Sequence, residues 1–135
     1  MVFLGDKSVG KTSLIKNWIR NYKLNDNYVP NRKCDNYDGE QTQAHDEFFD
    51  LQVIDTPGGD SEHIKRERQE HYKECNIFMF CFAENNHRTL LNLEQYYKEV
   101  EEYLATDEKT KGNCVKFLIG CKFGENLPAE NSQGN

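Results

Sequence analysis

Residues 5–12 read Gly-Asp-Lys-Ser-Val-Gly-Lys-Thr, which places glycine, lysine and threonine at the spacing of a phosphate-binding loop. The glycines let the backbone curl, so that successive N–H groups point at one anion. Lys11 is expected to supply positive charge to the β- and γ-phosphates, and the hydroxyl of Thr12 to bind Mg²⁺. The other candidate phosphate contacts are Gly5, Lys7, Ser8, Val9, Gly10 and Ser13. The pattern predicts a site for a nucleotide and a metal ion.

Apolar patterns predict the elements that hold this loop. The run Val2-Phe3-Leu4 stops at Gly5, and from Thr12 onward apolar side chains recur at helical spacing, which indicates a strand, the loop and a helix. Further patterns indicate a strand, a largely exposed helix, a buried strand, an amphipathic helix and a second buried strand. They cover residues 48–55, 61–74, 76–83, 90–104 and 115–119. Because strands alternate with helices, we expect an α/β fold with a mainly parallel sheet, helices on both faces and ligands at the carboxyl ends of the strands.

Three polar segments are predicted to lie outside the core. Residues 21–36 are rich in Asn and Asp around Pro30 and are expected to form a long loop. Residues 65–70 mix both signs of charge, and we interpret them as a solvated helix face. Residues 124–135 are polar and predict a loop or frayed terminus.

The composition narrows the class of protein. A length of 135 residues suits one domain, and a net charge of −6 argues against nucleic acid as a partner. The five cysteines contain no CxxC pair, and the four histidines have no metal-ligand spacing, so we predict neither a disulfide framework nor zinc. A reducing, cytoplasmic location fits this cysteine usage.

Five landmarks resemble the Ras superfamily of small GTPases, with a mixture of Rho-, Ras- and Rab-like motifs. The phosphate loop is followed by Asp-Thr-Pro-Gly at the end of a later strand, a first-switch segment similar to the Rho branch, Phe-Ala-Glu-Asn-Asn similar to the Ras branch, and Leu-Ile-Gly-Cys-Lys similar to the guanine-recognition motif. These landmarks lie at residues 5–14, 55–58, 28–37, 82–86 and 118–122.

The resemblance implies a P-loop, Rossmann-like fold that binds GTP or GDP with Mg²⁺ and changes two switch loops according to the γ-phosphate. Asp55 would reach the metal through water, Gly58 would donate its backbone N–H to the γ-phosphate, and Lys122 would lay its aliphatic stem along the guanine. Protein regulators or effectors are expected at the loops of residues 25–37 and 56–74.

Three positions depart from the family pattern. Asn31 stands where a threonine normally binds Mg²⁺, and Gly124 stands where an aspartate normally accepts hydrogen bonds from guanine. Gly59 replaces the glutamine that orients the attacking water, so no catalytic residue is assigned and slow intrinsic hydrolysis is expected. Lys7 stands where many relatives keep a small residue, and it could instead supply positive charge to the γ-phosphate.

The family pattern continues with a helix, an edge strand and a last helix that this sequence lacks. We therefore expect a domain over residues 1–135 that is incomplete at both ends, or a stable complex that covers the missing elements. Membrane association through a lipidated tail is left open.

Two functions remain. One is a guanine-nucleotide switch with slow hydrolysis, and the other is a pseudo-GTPase scaffold with its nucleotide permanently bound or absent. An ATP-using P-loop kinase would need a phosphate-clamping lid, for which the sequence has no pattern.

Overall fold

The computed structural model describes residues 1–20, 34–44 and 46–122. Strands and helices alternate along most of this part of the chain, as the apolar patterns predict. The elements are β1 (Val2–Leu4), α1 (Lys11–Arg20), β2 (Asp35–Ala44), β3 (Glu47–Asp55), α2 (Glu62–Gln69), β4 (Ile77–Ala83), α3 (His87–Leu104), α4 (Glu108–Gly112) and β5 (Val115–Cys121). Among the helices of these residues, none combines the length and the hydrophobicity that a membrane span requires.

The strands form one sheet in the order β2-β3-β1-β4-β5. β1, β3, β4 and β5 are parallel, and β2 pairs antiparallel with β3. The mainly parallel α/β fold predicted from the sequence is confirmed. Parallel strands end at the same edge of a sheet, so the residues that follow β1, β3 and β5 lie close together there.

Both faces of the sheet are covered, which requires nearly continuous apolar strands. Alternate residues of β1 point to opposite faces, with Val2 and Leu4 in one buried cluster and Phe3 in the other. α3 packs its apolar stripe on the first face, and Ile15 of α1 packs on the second. The members of the first cluster are Val2, Leu4, Ile54, Tyr72, Cys75, Phe78, Phe80, Leu93, Tyr96, Val100 and Leu104.

The structure corrects the predicted loop and adds two elements. Residues 21–33 of the loop lie outside the described residues, but residues 35–36 already belong to β2, which continues to Ala44. β2 has a polar sequence and is held by backbone pairing with β3, so hydrophobic periodicity gives no sign of it. α4 is a short helix whose N-cap, Asp107, accepts a hydrogen bond from the backbone N–H of Thr110.

Two further predictions are also corrected, the end of one helix and the burial of one strand. The helix expected over residues 61–74 ends at Gln69, and Ser61 is its N-cap. The sequence predicts a buried strand near residues 115–119, but Phe117 and Leu118 are 51% and 63% exposed. β5 is the outer strand of the described sheet, so only β4 pairs with it. The predicted terminal segment of residues 124–135 lies outside the described residues.

Phe78 provides a test of the core, because it is fully buried on β4 and its ring meets Tyr72 edge-on at a centroid distance of 5.4 Å. We expect Phe78→Ala to lower the free energy of unfolding by about 3–5 kcal/mol, since it removes buried apolar area and leaves a cavity. Urea denaturation measures this. The matched control is Phe117→Ala on the neighbouring strand, where the half-exposed ring should cost less than about 1 kcal/mol. Equal losses in the two variants would contradict the assignment of the core.

Candidate functional site

The predicted phosphate loop joins β1 to α1 and has a backbone that depends on glycine. Gly5 has φ +146° and Gly10 has φ +104°, and Ser8 adopts a left-handed φ of +63°. A Cβ on Gly5 would lie 2.2 Å from the carbonyl oxygen of Cys81 on β4, so no side chain fits there. Val9 is buried in the second core cluster and anchors the loop from below. The curled backbone suits an anion at the N-terminus of α1.

Lys11 lies at the start of α1 with only 6% of its surface exposed. Its ammonium donates to the carbonyl oxygens of Gly5 and Asp6, each at 2.7 Å, which holds it across the mouth of the loop. Burial lowers the pKa of Lys11, and the carboxylate of Asp55 acts in the opposite direction. The loop therefore presents a desolvated cation where a phosphate would sit.

The two predicted metal ligands are adjacent. The hydroxyl of Thr12 donates to Oδ2 of Asp55, so α1 and the end of β3 bring two oxygen ligands together. Asp55 is fully buried, and the next residue, Thr56, donates from its hydroxyl to the carbonyl of Phe3 at 2.5 Å, which fixes the chain after β3. Mg²⁺ commonly takes one or two protein oxygens and completes its octahedron with phosphate oxygens and water. Thr12 and Asp55 fit that requirement.

The loop after β3 packs on the phosphate loop. A Cβ on Gly58 would lie 2.5 Å from the backbone nitrogen of Lys7, so the two backbones are in direct contact. Lys7, Ser8, Gly10, Lys11 and Thr12 line one cleft with residues 56–58. Gly59 follows with φ +127°, a conformation that side chains rarely adopt. Gly58 is thus next to the phosphate loop, while its predicted hydrogen bond to the γ-phosphate stays a prediction.

The carboxyl end of β5 reaches the same loop from the other side. Lys122 has a left-handed φ of +60°, and its Cγ lies 3.6 Å from the position that a Cβ on Gly10 would occupy. Cys121 is buried beneath Gly10. The stem of Lys122 therefore packs along the phosphate loop, while its predicted contact with guanine stays a prediction.

Asn31 and Gly124 lie outside the described residues, and Ser13 is a half-buried residue of α1.

A hydrogen-bond network that sequence reasoning missed connects the phosphate loop to α3. Asp6 accepts from the amide of Asn92 at 2.7 Å and from the hydroxyl of Tyr96 at 3.0 Å. The same hydroxyl accepts the backbone N–H of Gly59 at 2.9 Å. Burial raises the pKa of Tyr96 to about 12, so the hydroxyl keeps its proton near neutral pH and can donate and accept at once.

Arg68 corrects the interpretation of residues 65–70 as a solvated face, because it is only 1% exposed. Its guanidinium binds both carboxylate oxygens of Glu99 at 3.1 and 2.6 Å, and donates to the carbonyls of Pro57 and Gly59 at 3.1 and 2.7 Å. Tyr72 donates to Glu99 at 2.6 Å. In the helix predicted over residues 61–74, Arg68 and Tyr72 would share one face because they are four residues apart, but α2 ends at Gln69 and Tyr72 lies in the turn after it.

Comparison with known proteins identifies relatives. The model of the Ras family matches residues 1–127. The chain is 30% identical over 104 residues to the GTP-binding protein RHO4 of Eremothecium gossypii, covering 76% of this chain and 39% of that protein. It is 30% identical over 105 residues to the Rho-related protein racM of Dictyostelium discoideum, covering 77% and 53%. It is 28% identical over 122 residues to the Ras-related protein RabL of the same organism, covering 90% and 55%. The chain thus spans about half the length of most of these curated relatives.

Removing one partner of the buried Arg68–Glu99 pair tests its structural role. We expect Glu99→Ala to lower the free energy of unfolding by about 3–5 kcal/mol, because Arg68 would keep its charge in a buried site without its carboxylate. Chemical denaturation followed by circular dichroism measures the loss. Glu94→Ala is the control: that carboxylate pairs with Lys98 on the exposed face of α3, and its removal should cost less than about 1 kcal/mol. Similar losses would argue against a special role for Glu99.

Proposed function

The chain belongs to the Ras family, and on that premise we propose that it binds GTP or GDP with Mg²⁺ as a small GTPase-like molecular switch. The observation that carries this proposal is the convergence of Lys11, Thr12 and Asp55 at one edge of the sheet. A phosphate-binding cation and two oxygen ligands for a hard metal ion meet where parallel sheets bind their ligands. The names of the relatives, a GTP-binding protein among them, support guanine as the base.

Each proposed role follows from the chemistry of a group in the cleft. Lys11 binds the β- and γ-phosphates, and the backbone N–H of Gly58 binds the γ-phosphate because Gly58 lies against the phosphate loop. Bound Mg²⁺, held by Thr12 and by Asp55 through water, would supply neutralising charge. Lys122, whose stem packs against Gly10 at the end of β5, would lay its aliphatic stem along the guanine.

Slow intrinsic hydrolysis is part of the proposal. Phosphoryl transfer depends on a positioned water, and Gly59 has no side chain that could hold one. The positive φ of Gly59 also makes a glutamine unfavourable at this backbone position. Residues 57–59 are bound to Arg68 of α2 and Tyr96 of α3, so three hydrogen bonds hold this loop to the two helices.

The second candidate function is a pseudo-GTPase that acts as a scaffold subunit. The observation that favours it is the same attachment of residues 57–59 to α2 and α3, because a loop bound to a buried ion pair has a high cost of movement. Asn31 and Gly124 in the sequence point in the same direction. The two candidates differ in whether nucleotide exchanges and is hydrolysed.

We expect partners at the segments of residues 25–37 and 56–74. The described end of the first segment contacts the second, since the backbone N–H of Cys34 donates to Glu67 at 2.8 Å. One protein regulator could therefore touch both segments. A stable complex that covers the outer strand β5 remains the alternative partner, and the cytoplasm is the proposed location.

Nucleotide binding is tested by identifying what the purified protein releases on denaturation and by titration with labelled GDP. We expect the denatured wild-type protein to release guanine nucleotide. Lys11→Met should weaken binding roughly 10- to 100-fold, since it removes a charged hydrogen bond to phosphate. Lys73→Met removes an exposed lysine beyond the end of α2 and should leave the affinity unchanged. Release of adenine nucleotide, or of none, would contradict guanine binding.

Hydrolysis is tested by single-turnover phosphate release from the GTP complex. Because Gly59 cannot position water, we expect a rate at or below the order of 10⁻⁴ s⁻¹ that unassisted small GTPases reach. Lys11→Met, purified and incubated with GTP in the same way, corrects for contaminating phosphatase. A rate tenfold higher would refute slow hydrolysis, and a bound nucleotide that neither exchanges nor turns over would favour the scaffold.

A further inference from the structure

Lys7 is a second lysine in the phosphate cleft, and it takes part in none of the ion pairs among the residues that the structure describes. Its side chain is exposed, and it lines the cleft together with Lys11, Thr12 and residues 56–58. Lys11 is buried and bound to two carbonyls, so its position is fixed. Lys7 instead has a long side chain in solvent at the rim of the same cleft.

The side chain of Lys7 reaches across Gly59. Its Cε lies 3.9 Å from the position that a Cβ on Gly59 would occupy, which is ordinary van der Waals distance. The backbone of Gly59 is held in place, because Tyr96 accepts its N–H and Arg68 donates to its carbonyl. A glycine at this position therefore leaves open the space beside Lys7, where a side chain would restrict the lysine.

The neighbouring acid does not neutralise Lys7. Both carboxylate oxygens of Asp6 face α3, where Asn92 and Tyr96 bind them at 2.7 and 3.0 Å. Within residues 1–20, 34–44 and 46–122, none of the ion pairs involves Lys7. The ammonium is thus available to an anion that enters the cleft.

We propose that the ammonium of Lys7 binds the terminal phosphate of a nucleoside triphosphate and thereby makes the site prefer triphosphate over diphosphate. This inference rests on the nucleotide binding proposed above and adds a specificity-determining residue to it. Lys11 and the loop backbone serve phosphates that both nucleotides carry. Lys7 approaches from the side of Gly58 and Gly59, the loop proposed to sense the γ-phosphate, so its contact is absent in the diphosphate complex.

The position of Lys7 affects the affinity for triphosphate and not the rate of hydrolysis. A lysine is a flexible point charge and does not hold a water in line for attack. An interaction made equally with the ground state and the transition state raises affinity without raising the rate. Lys7 therefore favours occupancy by triphosphate, while hydrolysis remains slow because Gly59 offers no side chain.

The experiment compares dissociation constants for the diphosphate and for a non-hydrolysable triphosphate analogue, in guanine and adenine forms, with Mg²⁺ present. In Lys7→Met we expect triphosphate affinity to fall about tenfold or more, while diphosphate affinity changes less than about twofold. Lys7→Arg keeps the charge and should retain most of the preference. Lys16→Met removes a nearby exposed lysine of α1 and should keep the ratio, which controls for general electrostatic attraction.

The outcomes are distinguishable. An unchanged ratio in Lys7→Met, or an equal loss of both affinities, would overturn the role of Lys7 and leave nucleotide binding standing. If the wild type binds none of the four nucleotides, the proposed function and this inference both fail. Should Lys7→Met unfold, the comparison of Lys7→Arg with Lys7→Gln decides, and the preference must follow the charge.

Discussion

The buried guanidinium of Arg68 is the group on which the arrangement of the site depends. A charge so deep in the protein is tolerated only when its donors are satisfied, and here a carboxylate and two backbone carbonyls satisfy them. One helix supplies Arg68, a second supplies Glu99, and the loop after β3 supplies the carbonyls. The position of that loop therefore follows from the solvation of one side chain.

A second connection runs through Tyr96, whose hydroxyl joins the loop of residues 57–59 to Asp6 of the phosphate loop. The ring of Tyr96 also lies under Arg68, at 4.9 Å from its guanidinium carbon. The two loops that would meet a nucleotide are thus held to one face of α3. Movement of either loop has to break hydrogen bonds in a poorly solvated region, where each of them is strong.

The features that could be predicted from the sequence are those determined by residues close together in the chain. The glycines of residues 5–12 set a local backbone, and the apolar run of β4 marks a buried strand, so both can be read without tertiary information. β2 could not be predicted, because a polar strand is held by its partner's backbone. Arg68 and Glu99 stand 31 residues apart and look like solvated charges until the fold joins them. Gly58 and Lys122 were identified as candidate site residues only through the resemblance to small GTPases. The structure places both beside the phosphate loop.

The burial of Val9 affects the affinity of the phosphate loop for its ligand. Its side chain is 1% exposed and packs in the core between the sheet and α1, while the residues on either side keep left-handed backbone angles. Ordering such a loop costs conformational entropy. That cost arises when the protein folds, and the burial of Val9 offsets part of it. A ligand then meets a preorganised cradle, so most of its interaction energy remains available as affinity.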